Sequence, residues 1–154
     1  MQLSSILKAD AVKSIASCTS KKRLFHDLGE VAESCYGLNA SDVVEALIDR
    51  EGLGPTGVGQ GIALPHARLE DAKSVFGLFL RLEKPLDFDA VDRQPVDLVF
   101  ALIAPKDAGV DHLKALALVS RTLRDKAVCT KLRSNSDANT LHTILTEVEA
   151  SQAA

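Results

Sequence analysis

Aromatic residues are the scarcest class in this 154-residue sequence. It contains no tryptophan, one tyrosine and five phenylalanines, so a core must be built mainly from leucine, isoleucine, valine and alanine. Hydrophobic residues still make up 46% of the chain, which is enough for one core. We therefore expect a single domain over residues 1–154, with an ordered core of about 3–150.

Paired cysteines and long apolar runs are also absent. Cys18, Cys35 and Cys129 form no C-x-x-C pair, and their odd number cannot complete a disulfide framework. No segment approaches the ~20 apolar residues that span a bilayer, and the first ten residues lack the apolar stretch of a signal peptide. The 18 basic and 21 acidic residues are scattered along the chain. The sequence thus predicts a cytoplasmic protein with no membrane insertion and no nucleic-acid partner.

Hydrophobic spacing predicts helices on both sides of a group of strands. The predicted helices are about Lys21–Tyr36, Ala40–Arg50, Leu113–Leu123, Ala127–Arg133 and Asp137–Ala150. The predicted strands are Ile62–Leu64, Val75–Leu82 and Val96–Ala104. The last strand is almost continuously apolar, as expected of a central strand covered on both faces. This order predicts one α/β or α+β domain.

Helix ends and helix faces give further expectations. Asp111 and Ser136 are the predicted N-caps of the third and the last long helix. The last helix is expected to pack through its apolar positions Leu141, Ile144, Leu145 and Val148. His26 and His142 fall on polar helix faces, so we expect both at the surface.

Five glycines fall within residues 52–61, a density that argues against regular structure there. Residues 52–57 formally match G-x-G-x-x-G, the dinucleotide fingerprint. That fingerprint must follow a strand and open a helix, whereas this segment follows a helix, contains Pro55 and leads into a strand. A P-loop is excluded too, because residues 52–61 contain no lysine followed by serine or threonine. A plain connecting loop is the alternative interpretation.

His66 stands immediately beyond the short strand that follows this loop. An imidazole with a near-neutral pKa offers one ring nitrogen as a nucleophile while a hydrogen bond holds the other. Arg50 and Arg68 are cations that suit phosphate oxygens. His112 opens the third helix, where backbone N–H groups favour an anion. A lone histidine at a strand end is more often structural, so the residues alone leave this question open.

Two ordered blocks carry a family resemblance: residues 50–66, which read REGLGPTGVGQGIALPH, and residues 112–117, which read HLKALA. Through them nearly the whole chain resembles the IIA components of the bacterial phosphotransferase system, in the mannitol/fructose class and most closely the nitrogen-regulatory type. The resemblance implies a mixed β-sheet flanked by helices. Pro55, where serine is frequent, and Ala67, where glycine is frequent, depart from the family pattern.

The resemblance also implies a site and a function. Its phosphorylated histidine falls on His66, its supporting arginine on Arg50 and its second active-site histidine on His112. Thr56, Gly57, Gly59 and Arg68 are the expected phosphate-binding or loop residues. The implied activity is that of a mainly regulatory phosphotransferase component, which needs neither metal nor nucleotide.

The implied partners are an HPr-like phosphocarrier protein (NPr) as donor and regulated proteins such as sensor kinases or potassium transporters. Whether the chain forms a homodimer is left open.

Three alternatives compete with this function. They are a sugar-specific IIA component that passes phosphate to a IIB domain, a metal-dependent hydrolase using His66, His112 and Asp111, and an interaction module without turnover.

Overall fold

A six-stranded mixed sheet organises the computed structural model, which describes the backbone of residues 1–153 and the side chains of residues 1–147. The strands are β1 (Val12–Ile15), β2 (Gly57–Gly59), β3 (Ile62–Ala63), β4 (His66–Leu69), β5 (Phe76–Leu86) and β6 (Val96–Pro105). The α-helices are α1 (Leu3–Ile6), α2 (Lys21–Tyr36), α3 (Ala40–Glu51), α4 (Val110–Arg124), α5 (Lys126–Arg133) and α6 (Ala138–Ala153). A 3-10 turn covers Ala9–Ala11.

Strand β6 is the centre of the sheet, as its continuous apolar run predicts. It pairs antiparallel with β5 and parallel with both β3 and β4. The order is β1-β5-β6-β3-β2, with β4 also bound to β6. Every residue from Leu98 to Ala104 is at most 1% exposed, because helices cover both faces of this strand. The prediction of a central buried strand is confirmed.

Strands β3 and β4 are two parts of one line along β6, interrupted at Leu64 and Pro65. Ala63 pairs with Val99, and His66 pairs with Leu102. Pro65 has no N–H to give to a ladder, but its carbonyl accepts from the Leu102 N–H at 3.0 Å. His66 is therefore the first residue of a paired strand, and its backbone is fixed by the centre of the sheet.

The helices form two groups, and each group packs on the sheet. Helix α2 packs against α3, while α5 and α6 pack together and α4 contacts both. Helix α3 also lies against β4 and α4 against β6, which brings the end of α3 and the start of α4 towards His66. The predicted fold, a mixed sheet flanked by helices, is confirmed.

Several local predictions are wrong, each for a physical reason. The glycine-rich segment contains β2, because the edge strand pairs with β3 through backbone groups alone. Strands β1 and β4 were not predicted, since four-residue strands carry too little pattern. Gly109, not Asp111, is the N-cap of α4. At α6 the carboxylate of Asp137, not Ser136, accepts the Thr140 N–H at 2.9 Å.

The side chains of His142 and Tyr36 bind backbone groups of the N-terminal segment. His142 is half-buried, with Nε2 3.0 Å from the Leu7 carbonyl oxygen, so its predicted surface position is wrong. Tyr36 accepts the Lys8 N–H at 3.0 Å, and burial raises the pKa of Tyr36 to about 12. His26 is exposed, as predicted.

The last helix buries Leu141 and Leu145 as predicted, and Ile144 packs partly buried against them. The expected packing of Val148 falls outside the described side chains. Within the part of the chain that the structure describes, no helix has both the length and the apolar character that a membrane crossing requires.

A substitution at Gly61 tests how the glycine-rich segment packs against the rest of the domain. Its φ is +79°, and a Cβ there would lie 2.5 Å from Arg133 Nη2 and 2.9 Å from Asp97 Oδ1. Gly61→Ala should therefore lower the free energy of unfolding by about 2 kcal/mol or more. Backbone strain acts together with the displacement of Arg133 from its ion pair with Asp97 and from its hydrogen bond to the Gln60 carbonyl. Gly37 has a similar φ of +70° with nothing within 4 Å. Gly37→Ala should lower the free energy of unfolding by only about 1 kcal/mol, measured in the same urea titration. Equal losses would contradict this interpretation.

Candidate active site

A cleft of about 920 Å³ lies where α3, β4 and the start of α4 meet. Basic and imidazole side chains line it from these three elements and from the segment between β6 and α4: Arg50, His66, Arg68, Lys106 and His112. Carboxylates of α3 and of the segment after β4 line its outer parts: Asp42, Glu45, Asp49, Glu70 and Asp71. The cleft thus brings together four of the seven residues expected from the sequence.

The ring of His66 is held at both nitrogens. Nδ1 lies 2.9 Å from the carbonyl oxygen of Leu64, and a carbonyl can only accept, so Nδ1 carries the proton. Arg50 donates its Nε–H to His66 Nε2 at 3.3 Å, and an arginine can only donate. Both contacts require the same neutral tautomer, in which Nε2 holds the free electron pair.

Arg50 is placed by the end of α3 and by the loop that follows. It lies in the last turn of the helix, where a cation is favoured by the helix dipole. Its Nη1 donates to the carbonyl oxygen of Gly54 at 3.0 Å. The glycine-rich loop therefore orients the guanidinium that contacts His66.

His112 is buried, with 6% of its surface exposed, and its ring lies edge-on to His66 with centroids 5.5 Å apart. Arg68 donates Nε–H to His112 Nδ1 at 3.1 Å, which places the proton of a neutral ring on Nε2. Among the described buried side chains, that Nε2 has no hydrogen-bond partner. A buried donor left unpaired costs roughly 1–3 kcal/mol, which a bound acceptor would recover.

Burial, then the nearby His66, then the Arg68 charge lower the pKa of His112 from 6.5 to about 4. Each of these three causes opposes a positive charge on the ring. His112 is therefore a neutral hydrogen-bond donor at neutral pH. It does not add a cation to the cleft.

Three expected loop residues lie away from the cleft. Thr56 is 5% exposed and gives both its N–H and its hydroxyl to the carboxylate of Glu51. A Cβ at Gly57 would lie 2.8 Å from that of Ala90, and one at Gly59 would lie 3.3 Å from Asp92 Oδ2. None of the three is among the described residues that line the cleft. Thr56 lies in the loop, and Gly57 and Gly59 lie in β2.

The proposed metal ligands His66, His112 and Asp111 do not gather around one point. Asp111 is exposed in the first turn of α4, whereas His112 points its acceptor nitrogen at Arg68. Within the described part of the chain, no group of three or more histidine, cysteine, aspartate or glutamate side chains is arranged to hold a metal ion.

Residues 5–148 match the family model of the phosphoenolpyruvate-dependent sugar phosphotransferase system, EIIA 2. The chain belongs to this EIIA 2 family. The match covers the three elements that build the cleft and both sequence blocks that suggested the resemblance.

Individual relatives point to one branch of the EIIA 2 family. The chain is 43% identical to a nitrogen regulatory protein of Bradyrhizobium diazoefficiens over 145 residues, which are 94% of this chain and 95% of the relative. It is 43% identical to a nitrogen regulatory protein of Escherichia coli over 150 residues, with 97% and 92% covered. The crystal structure of nitrogen regulatory protein IIA-Ntr from Neisseria meningitidis superposes with a TM-score of 0.86 at 38% identity, with 92% and 97% covered.

Sequence reasoning missed Glu51 in this EIIA 2 domain. Its side chain is 8% exposed and binds Lys21 Nζ at 2.8 Å as well as Thr56. A carboxylate at the C-terminus of a helix is disfavoured by the helix dipole, so a glutamate closing α3 was a signal that partners compensate it. Through Thr56, Glu51 holds the loop that orients Arg50.

The low pKa of His112 predicts how stability depends on pH. In the unfolded chain this ring takes up a proton below pH 6.5, whereas in the folded protein it takes one up only below about pH 4. The free energy of unfolding should therefore fall as pH falls from 7.5 to 5, and His112 should contribute about 2 kcal/mol of that loss. His112→Gln keeps an acceptor for Arg68 but does not titrate. Urea titrations at both pH values should show a smaller loss in the variant, and identical losses would contradict the assignment.

Proposed function

We propose that this chain is a nitrogen-regulatory phosphocarrier, whose residues 1–154 form one IIA domain. It accepts a phosphoryl group on Nε2 of His66 from the phosphohistidine of an HPr-like carrier, and it regulates partner proteins according to its phosphorylation state. One observation carries the proposal. The electron pair of His66 Nε2 lies in an open cleft, where it accepts from a cationic donor, Arg50, near an unpaired buried donor, His112 Nε2.

The transfer step balances without a cofactor or a base. The electron pair of His66 Nε2 forms the new N–P bond, and the electrons of the donor's N–P bond return to the donor histidine. The proton of His66 stays on Nδ1, where the Leu64 carbonyl accepts it. The phosphorylated ring is consequently a singly positive imidazolium, whose Nδ1–H stays bound to the Leu64 carbonyl. The donor ring is likewise an imidazolium while it carries the phosphoryl group and leaves as a neutral imidazole, so no proton has to move during the step.

Arg50 and His112 have complementary roles in this proposal. Phosphoryl transfer depends mainly on positioning and on stabilising charge on the equatorial oxygens. Arg50 turns its Nε–H from His66 Nε2 to those oxygens, and Gly54 keeps the guanidinium in place through Nη1. His112 offers Nε2–H as a second donor. Thr56, Gly57 and Gly59 support the loop and do not touch the phosphoryl group.

Phosphorylation then changes the surface that partners meet. The phosphoryl group carries roughly two negative charges into a cleft that Arg50, Arg68 and Lys106 line. Exposed Leu53 and Leu113 line the same cleft, so one docking surface carries both the apolar contacts and the switch in charge. The names of the relatives support nitrogen regulation as the output.

A sugar-specific IIA function would use the same chemistry. It differs in the acceptor, since a IIB domain would take the phosphoryl group onward. Incubation of the phosphorylated chain with a sugar-specific IIB domain separates the two functions. We expect slow or no transfer, and efficient transfer would overturn the regulatory proposal.

Phosphorylation of His66 is tested by intact mass after incubation with phosphoenolpyruvate and the purified upstream carriers. The wild type should gain an acid-labile adduct of about 80 Da, the mass of HPO₃. His66→Ala should gain none, because the nucleophile is missing. His26→Ala is the matched control, since His26 is exposed on α2 outside the cleft, and it should be phosphorylated like the wild type.

The carriers must be shown to be charged in the same mixture. With charged carriers, a wild-type chain that gains no adduct would refute the phosphocarrier function and favour an interaction module. An adduct that persists in His66→Ala would refute the assignment of the acceptor.

A further inference from the structure

We propose that Arg68 is a positioning residue that acts through His112, holding the proton of that ring on Nε2 so that it can be donated to a phosphoryl group on His66. The inference rests on the proposed phosphotransfer at His66. It differs from the expectation that Arg68 binds phosphate directly, which is what an arginine two residues after the nucleophile suggests from sequence.

The contacts of Arg68 favour positioning over direct binding. Its Nε donates to His112 Nδ1 at 3.1 Å, and its Nη1 donates to the carbonyl oxygen of Lys106 at 3.0 Å. Two of its three nitrogens are thus used within the protein. The second bond ties the guanidinium to the segment between β6 and α4, directly before the helix that carries His112.

The register of the sheet keeps Arg68 where these bonds require it. Arg68 pairs with Ala104 in the parallel ladder of β4 and β6, two residues beyond the His66–Leu102 pair. Alternate residues of a strand project from the same face. His66 and Arg68 therefore leave the sheet side by side, and both reach the start of α4.

The direction of the hydrogen bond decides the tautomer of His112. A guanidinium has no acceptor, so Nδ1 must offer its electron pair, and the neutral ring must carry its proton on Nε2. Without this bond, the two neutral tautomers of a histidine differ little in free energy. A ring protonated on Nδ1 would present an electron pair, not a donor, at Nε2, and phosphoryl oxygens would be repelled.

The charge of Arg68 supports the same role. It is one of the causes that lower the pKa of His112, together with burial and His66. The groups that face the ring from the surrounding elements are His66 and Arg68 of β4, with Arg50 and Lys106 also lining the cleft. Burial is the largest cause of the low pKa, His66 the second and the Arg68 charge the third. Arg68 thus helps to keep His112 neutral and also selects which neutral form it takes.

The direct test is the tautomer of His112 in the unphosphorylated protein, read from long-range ¹H–¹⁵N NMR correlations of the ring. In the wild type, Nδ1 should show the chemical shift of an unprotonated nitrogen and Nε2 that of a protonated one. Arg68→Met cannot donate, so both shifts should move towards averaged values. Arg68→Lys can donate from Nζ and should restore the wild-type pattern at least partly.

Lys106→Met is the matched control, because it removes a positive charge from the same cleft without removing the bond to His112. Its His112 shifts should match the wild type. An unchanged His112 tautomer in Arg68→Met would overturn the inference. Because Arg68 is exposed, the variants should fold, and a dispersed amide spectrum verifies this in the same samples.

The second readout is the rate of phosphorylation by the charged carrier. Arg68→Met should be slower by at least about tenfold, since a misplaced proton removes a transition-state donor, and Arg68→Lys should recover part of the rate. A slow Arg68→Met with an unchanged tautomer would mean direct phosphate binding. Absence of phosphorylation in the wild type would instead refute the proposed function, while the tautomer measurement would still report on Arg68.

Discussion

The hydrogen bond between His66 Nδ1 and the Leu64 carbonyl is the constraint on which the site depends. A carbonyl two residues back in the chain fixes the proton on Nδ1, so Nε2 is the ring nitrogen that carries the electron pair and is the nucleophile of the proposed function. The bond exists because Pro65 interrupts the strand: the ladder to β6 continues on both sides, through Ala63 and His66. Pairing with the central strand of the sheet thus determines which nitrogen of His66 holds the proton.

His66 and His112 are held in opposite tautomers by different means. The backbone fixes His66 with an acceptor, and the side chain of Arg68 fixes His112 with a donor. The result is one free electron pair and one free N–H on rings whose centroids lie 5.5 Å apart. In the proposed function these two neutral imidazoles supply the nucleophile and a stabilising donor, while Arg50, Arg68 and Lys106 supply positive charge in the cleft. A phosphoryl group needs both kinds of partner in the same place.

Much of this arrangement could be predicted from the sequence. The apolar run of β6, the boundaries of α2 and the cleft positions of Arg50, His66 and His112 followed from pattern and from the family resemblance. The partners of each polar group could not be predicted in this way. Arg68 and Thr56 were both expected among the phosphate-binding or loop residues, and their contacts to His112 and to Glu51 were not foreseen. These outcomes depend on strand register and on side-chain directions, which sequence spacing does not encode. Short strands such as β4 were not predicted for a related reason, because their pairing depends on β6 and not on a pattern in their own residues.

The identity of the phosphorylated ring atom tests the central claim most directly. It can be measured by ¹⁵N and ³¹P NMR of the phosphorylated protein with labelled histidine, where coupling to phosphorus marks the bonded nitrogen. The geometry predicts coupling at Nε2 of His66, with Nδ1 still protonated and bound to the Leu64 carbonyl. Coupling at Nδ1 would contradict the account, because that nitrogen reacts only if the bond to Leu64 is broken.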